Sequence, residues 1–320
     1  KYTGMKWVLI GPYLARLIES EVRVYYPQPI DTVIIERRNQ SKDKGPEFSV
    51  VQMGYDEELL RTLMKRFMDA HKHVYKDDLL PILVDKKKKS EQGGGYVISA
   101  QLMKRYLDKN YRKLQGVTPN SGDVVTLSDI VKKKEDIGIT LDKQKQVAIG
   151  ATLGGMMYRV ERLHYKTDEG WGIYVAIYSE NTSIVEEIKN IFSKNEIIAK
   201  LGGEGGIVKV SIVDDSNLIE KDPKYTQTNK RSRLILTTPA IMNDQYVIPS
   251  QIAQKLYGVF TEELITGWSL IKDTPRKTLI GVKSGSIFII NPKSTISIFS
   301  RDYVFPEYRK LFGSALIGEV

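Results

Sequence analysis

Cysteine is absent from the 320 residues. That one gap removes disulfides, thiolate zinc sites, iron–sulfur clusters and cysteine nucleophiles. Histidine is scarce: His71, His73 and His164 are the only three, so a three-histidine metal site would consume all of them. No stretch approaches the ~18 uncharged apolar residues of a membrane-spanning helix, and no basic–apolar–small signal-peptide pattern opens the chain. The expectation is a cytoplasmic protein with no membrane partner. There is no Gly-Lys-Ser/Thr phosphate loop, no Gly-x-Ser-x-Gly elbow and no short repeat period.

What is present is positive charge. Lys and Arg total 48 against 39 Asp and Glu, a formal charge of +9 and a pI near 9.3. A basic balance favours an anionic partner, of which nucleic acid is the commonest large example. At roughly 100–200 residues per domain the length suits two domains, with a change of character near residue 150. We therefore expect residues 1–150 and 151–320 as separate units.

Lys6 to Ile10 reads as a buried strand with a tight exit at Gly11-Pro12, and Glu21–Tyr26 as a second strand stopped by Pro27 and Pro29. Residues 37–49 read as a loop, 56–70 as a helix, and 86–95, with four lysines and three glycines, as a basic loop. A helix is expected over 99–114 with Leu102, Met103, Tyr106 and Leu107 on one face. A short one capped by Thr126 and Asp129 is expected to end in Lys132-Lys-Lys134, where cations suit the dipole. Residues 137–142 resemble a strand. Met157–Tyr165 and Trp171–Tyr178 read as the arms of a β-hairpin. Ser183–Lys194 reads as a helix with a Ser183/Glu186 capping box, Ile207–Val213, Leu234–Thr237 and Gly285–Ile290 as strands, and Pro249–Leu264 as a helix with Pro at its first turn. Strands and helices mixed in this way indicate an α+β fold with antiparallel sheets.

Gly202-Gly203-Glu204-Gly205-Gly206 is the most distinctive local feature. Four glycines in five positions let a polyanion approach the main chain, where successive N–H groups donate to phosphates; a glycine hairpin is the structural alternative. Lys200 and Lys209 flank it. Arg159, Arg162, Lys166, Arg231, Arg233, Arg276, Lys277 and Lys283 are further candidate phosphate contacts. Tyr26, Tyr158, Tyr165, Trp171 and Trp268 are candidate stacking faces for unpaired bases. His71 and His73 follow a helix end and suit either the dipole or a partial metal site. His164 would need a partner to act as an acid–base, and Asp214-Asp215 reads as a turn. No cofactor or metal is expected.

Several pieces in order carry a resemblance: Gly138-Ile-Thr-Leu-Asp142, Met157-Tyr-Arg-Val-Glu161, Leu201-Gly-Gly-Glu-Gly-Gly206, Gly267-Trp-Ser-Leu270 and Gly285-Ser-Ile-Phe288. With Val8-Leu-Ile-Gly-Pro12 and Tyr26-Pro-Gln-Pro-Ile-Asp31, the string resembles the third Cmr subunit family, RAMP proteins of type III-B CRISPR effector complexes. The resemblance implies two ferredoxin-like (RRM-like) domains with inserted loops and helices, and a non-catalytic role in antiviral defence. It implies a subunit that holds the 5′ repeat-derived handle of the crRNA between the large polymerase-like subunit and the first backbone RAMP subunit. On that basis Gly202, Gly203, Gly205 and Gly206 admit handle phosphates, Lys200, Arg159 and Arg162 neutralise them, Tyr158 or Trp268 stacks a base, and Glu204 fixes the loop. The family loop ends in Gly-Arg where this chain has Gly206. A metal-independent CRISPR-processing endoribonuclease of the same fold is the alternative.

Overall fold

The computed structural model describes residues 7–37, 47–52, 91–92, 96–108, 116–117, 122–139, 157–179, 181–193, 197–201, 206–213, 217–241, 248, 252–266, 268–269, 274–275, 278–299 and 312–319. Its first sheet has five antiparallel strands: β1 (Trp7–Ile18), β2 (Glu21–Pro27), β6 (Tyr96–Ser99), β8 (Val124–Thr126) and β11 (Trp171–Ser179), in the order β11-β1-β2-β6-β8. The second has four, β15 (Ser232–Leu236), β17 (Ala253–Val259), β22 (Ile287–Pro292) and β24 (Ala315–Gly318), in the order β17-β22-β15-β24. Sheet membership crosses residue 150, because β11 is hydrogen-bonded to β1.

Smaller sheets complete the molecule. One joins β3 (Thr32–Arg37), β4 (Glu47–Gln52), β5 (Glu91–Gln92) and β7 (Gly116–Val117). Another joins β16 (Ala240–Ile241), β18 (Glu262–Ile265) and β21 (Leu279–Val282). Four two-stranded pairs remain: β9 (Val131–Ile139) with β10 (Met157–Tyr165), β12 (Ile197–Leu201) with β13 (Gly206–Val210), β14 (Gln227–Thr228) with β23 (Ile296–Ser297), and β19 (Trp268–Ser269) with β20 (Thr274–Pro275). Helices α1 (Ala100–Leu107), α2 (Leu127–Ile130) and α3 (Thr182–Ser193) are few among the described residues. The α+β class with antiparallel sheets is as expected.

One core joins the two large sheets. Alternate residues of β1 (Val8, Ile10, Tyr13, Ala15) meet Ile235, Ile287, Ile289 and Leu316 of the second sheet, with α1 wedged beside them. Leu102, Met103, Tyr106 and Leu107 form the buried face of α1, as their helical spacing predicts. Ser99 caps it, accepting from Leu102 N at 3.2 Å, while Asp123 receives the Ser99 hydroxyl at 2.5 Å and Arg105 at 2.6 Å. The second sheet is covered on its other face too, by Ala240, Ile248, Val282, Ile296 and Ile298. Its strands are accordingly apolar at consecutive positions rather than alternate ones. A third cluster, Tyr25, Val97, Val125, Ile130 and Trp171, covers part of the first sheet's outer face.

Several local expectations are corrected. Gly11-Pro12, a cis peptide, does not end the first strand: β1 bulges there and continues to Ile18, because β11 pairs with both halves. The 99–114 helix is described only to Leu107, and 109–115 lie outside the described residues. The Thr126/Asp129 capping box is present, but α2 ends at Ile130. The lysines of 132–134 belong to β9, where Val131 and Tyr165 seat the strand on the third cluster. Residues 157–165 and 171–178 are not arms of one hairpin: β10 pairs with β9 and β11 with β1. The connecting turn is tied instead to β1 by Leu17 N to Gly170 O at 2.8 Å, and a Cβ on Gly170 (φ +83°) would meet the Leu17 carbonyl. Asn181, not Ser183, caps α3, accepting from Ser183 N at 3.1 Å and from its hydroxyl at 2.7 Å. The described part of the expected 249–264 helix holds β17 and most of β18 instead, because Ala253–Val259 finds the apolar strand β22 as a partner. Glu47–Gln52 is a strand where the loop was expected to reach residue 49, and Glu91–Gln92 is one inside the expected basic loop. The expected 56–70 helix lies outside the described residues.

Candidate nucleic-acid interface

Three of the two-stranded pairs carry candidate RNA-binding residues. In β12–β13, Leu201 lies opposite Gly206, Lys200 opposite Ile207 and Ile198 opposite Lys209. Residues directly opposite share a face. One face thus alternates Ile198 (68% exposed) and Ile207 (77%) with the exposed Lys200 and Lys209. Neither strand holds a carboxylate. Gly202, Gly203, Glu204 and Gly205, which connect the strands, lie outside the described residues; Gly206 opens β13 and is exposed.

The β9–β10 ribbon places Tyr158, Val160, Arg162 and His164 on one face, opposite Gly138, Asp136, Lys134 and Lys132 respectively. Two pairs of like-charged or chargeable groups therefore oppose each other, Arg162 with Lys134 and His164 with Lys132. Lys132, Lys134 and His164 are exposed. Like charges directly opposite, as Lys134 and Arg162 are in register, disfavour strand pairing. Arg159, opposite Ile137, falls on the other face, so Arg159 and Arg162 cannot meet one stretch of strand from the same side. Trp268 belongs to a third pair, opposite Pro275. The fold thus groups Arg162 with Tyr158, Lys132, Lys134 and His164, and keeps Lys200, Gly206 and Trp268 in other sheets.

Four sequence candidates are structural. Arg233 is fully buried: its guanidinium lies 4.2 Å over the Tyr106 ring, donates to the Tyr106 carbonyl at 2.9 Å and pairs with Asp31 at 3.9 Å. Tyr106 in turn donates to Asp31 at 2.6 Å. Tyr26 is also fully buried and donates to the buried Glu220 at 2.7 Å, as Tyr13 does at 2.6 Å. Burial pushes the Tyr26 hydroxyl well above its usual range, reinforced by the Glu220 charge. Burial likewise raises the Glu220 carboxyl, and the two tyrosine hydroxyls only partly offset that. Trp171 packs on Tyr25, centroids 5.1 Å apart, and half-buried Tyr165 leans on the same cluster. Aromatic and cationic side chains suited to RNA are equally suited to a core, and composition does not separate the two uses.

Lys166 is half-buried, with its N–H on the Ile130 carbonyl at 2.9 Å, and Arg231 is half-buried; Lys283 lines a cavity between the sheets. Arg276, Lys277, His71, His73 and Asp214-Asp215 lie outside the described residues, the side chain of Trp268 likewise. Sequence reasoning passed over Lys132 and Lys134 as helix-end cations, and did not single out Ile198, Ile207 or Gln28. Strand alternation in the Lys132–Ile137 run was the signal available for the first two. Among the described residues no group of three or more His, Asp and Glu is placed to hold a metal ion, and no helix is long and apolar enough to cross a membrane.

No curated protein matches the chain. Among solved structures, a chain of the type III-B Cmr-beta complex bound to cognate target RNA aligns over 88% of this chain with a TM-score of 0.38 and 14% identity. This chain spans 64% of that chain's length. A chain of the Csm3-Csm4 subcomplex of the type III-A CRISPR-Cas interference complex aligns over 97% of this one and 83% of its own length, with a TM-score of 0.34 and 14% identity. The family model for CRISPR-associated protein (Cas_Cmr3) matches residues 1–317, nearly the whole chain, and the chain belongs to that family of type III-B Cmr proteins.

Proposed function

We propose that this chain is a non-catalytic, RNA-binding subunit of a type III-B Cmr effector complex in antiviral defence. In this reading it holds the 5′ repeat-derived handle of the crRNA and bridges the large polymerase-like subunit to the backbone RAMP subunits. The observation that carries it is the β9–β10 face, where Lys132 opposes His164 and Lys134 opposes Arg162. Cationic side chains gathered on one ribbon raise its affinity for a phosphodiester strand. The Ile/Lys face of β12–β13, beside the glycine run, offers a second surface, where lysines meet phosphates and isoleucines meet base faces. The motifs shared with the family support two ferredoxin-like domains, 1–150 and 151–320, with the β9–β10 ribbon bridging that boundary. No catalytic residue is assigned.

The test is a pull-down of the tagged protein from its native host, with RNA sequencing and mass spectrometry on one eluate. Short RNAs sharing one repeat-derived 5′ end, together with other RAMP proteins and a large polymerase-like subunit, are the expected result. Unrelated RNA ends, or the protein alone, would overturn the reading. In a salt titration of the bound RNA, about five neutralised phosphates give a slope of log affinity against log salt near −3 to −4. The rival reading is tested by replacing His71, His73 and His164 together. If that triple variant abolished cleavage of a repeat RNA by the purified chain, the processing endoribonuclease would replace this assignment.

A further inference from the structure

Each of the two large sheets ends in an edge strand on either side, and all but one of these edges are guarded. β8 and β24 are short, at 3 and 4 residues. β17 carries Lys255 and a bulge between Lys255 and Tyr257. Short strands, lysines and bulges keep a sheet edge from pairing with another chain. The remaining edge, β11, has none of these. It is 9 residues long and runs Trp171-Gly-Ile-Tyr-Val-Ala-Ile-Tyr-Ser179, without a charge or a proline. No described strand pairs with its outer side.

The direction of the main-chain groups along β11 is fixed by its contacts. The Gly170 carbonyl accepts from Leu17 N of β1 at 2.8 Å, whereas Trp171 N turns away to the Lys166 carbonyl at 3.2 Å. The Tyr174 carbonyl lies against Gly11 of β1, 3.0 Å from where a Cβ on that glycine would stand. Even-numbered residues thus direct their main chain at β1, and Ile173, Val175 and Ile177 direct N–H and C=O at the open edge. The same three side chains are 44%, 42% and 40% exposed. Half-buried Leu14 and Leu9 of β1, opposite Ile173 and Ile177, extend that apolar face.

The strand is self-complementary about Val175. If β11 pairs antiparallel with its own copy there, Val175 meets Val175 and Ile173 meets Ile177. All of these residues point their main chain at the edge, so each such pair exchanges both N–H···O bonds. On the opposite face Tyr174 falls across from Ala176 and Tyr178 across from Gly172, a large side chain against a small one each time. A two-fold axis sets the central residue against itself, where a charge would be repelled. An uncharged strand meets no such penalty.

We propose that β11 pairs with β11 of a second copy of this chain, antiparallel and centred on Val175, joining the first sheets of two molecules into one. The strand's own pattern carries this, and the crRNA assignment is not needed for it. The net charge of +9 on each chain opposes the association at long range. Added salt screens that repulsion, so it strengthens the dimer while it weakens RNA binding.

The experiment is sedimentation equilibrium of the full chain without RNA. The mass is expected to rise with concentration from 36.4 kDa to twice that value, and the dimer fraction to grow from low to high salt. Val175→Lys and Val175→Glu are each expected to give a monomer, because each sets like charges opposite one another at the axis. Mixed in equal amounts, the two variants are expected to recover the dimer, a result that a merely damaged fold would not give. Hydrogen exchange of the unmodified chain supplies a readout that needs no variant: the Ile173, Val175 and Ile177 amides are expected to exchange more slowly as concentration rises. A chain that stays monomeric up to its solubility limit would overturn the proposal and leave β11 to a different protein. A dimer that survives Val175→Lys, or one that forms without slowing those amides, would overturn it as well.

Discussion

The seam between the two large sheets and the outlying hairpins treat charge in opposite ways. At the seam, Glu220 is enclosed by the hydroxyls of Tyr13 and Tyr26, and Asp31 by Tyr106 and Arg233, with all of these side chains buried. On β9–β10, Lys132, Lys134 and His164 are exposed, and in register Lys132 is opposite His164 and Lys134 opposite Arg162. Removing a charge from water is expensive unless donors meet it, so buried charges come with fixed partners. In water, like charges set opposite each other cost little. Location, rather than residue type, separates a cation that holds the fold from one that meets a partner.

The largest break in that comparison is Arg233→Ala. It strands the Asp31 carboxylate inside the core and removes the guanidinium stacked on Tyr106, for a loss of about 3–5 kcal/mol in urea unfolding. Asp31→Asn on top of it restores part of the loss, because the buried charge is then gone. A loss of 1 kcal/mol or less would mean that the pair contributes nothing the apolar neighbours do not supply.

The Glu220 site is expected to give a smaller effect with a distinctive pH signature. Tyr26→Phe removes one donor to a buried carboxyl and costs about 1–3 kcal/mol. Because the folded-state carboxyl titrates above its usual value of 4.5, the folded protein binds this proton more tightly than the unfolded chain. The stability it contributes is therefore complete below pH 4.5 and lost as pH rises through the raised folded-state value. Glu220→Gln should flatten that part of the stability–pH curve. An unchanged slope in Glu220→Gln would place the proton uptake on another group.

The same comparison explains what was legible in the sequence. The apolar face of α1 and the Thr126/Asp129 capping box depend on neighbours within a turn, and both are found where the spacing places them. Long-range pairing is not written locally. Nothing in Trp171–Ser179 says that its partner is β1, more than 150 residues earlier in chain numbering, and so 157–165 and 171–178 read as one hairpin. Ala253–Val259 has enough helical spacing to suggest a helix, but the apolar β22 overrides it. The basic and aromatic candidates divide in the same way. Lys200 is exposed on its ribbon, whereas Arg233, Tyr26 and Trp171 are in the core, and that distinction needs the burial of every neighbour at once.

The smallest effect carries the sharpest sign. Lys132→Gln removes one member of an exposed pair opposite His164, with no buried contact to lose. Relief of repulsion from Arg162, diagonally across the ribbon in register, should raise stability by about 0.2–1 kcal/mol, seen as a slightly higher midpoint at low salt that converges with the parent at high salt. The same change should weaken single-stranded RNA binding and reduce the salt slope by about 0.7, one phosphate contact. A gain in stability with a loss of RNA affinity marks a residue kept for a partner at the fold's expense. If stability fell instead, Lys132 would be supporting the ribbon, and the contrast between seam and hairpin would not extend to β9.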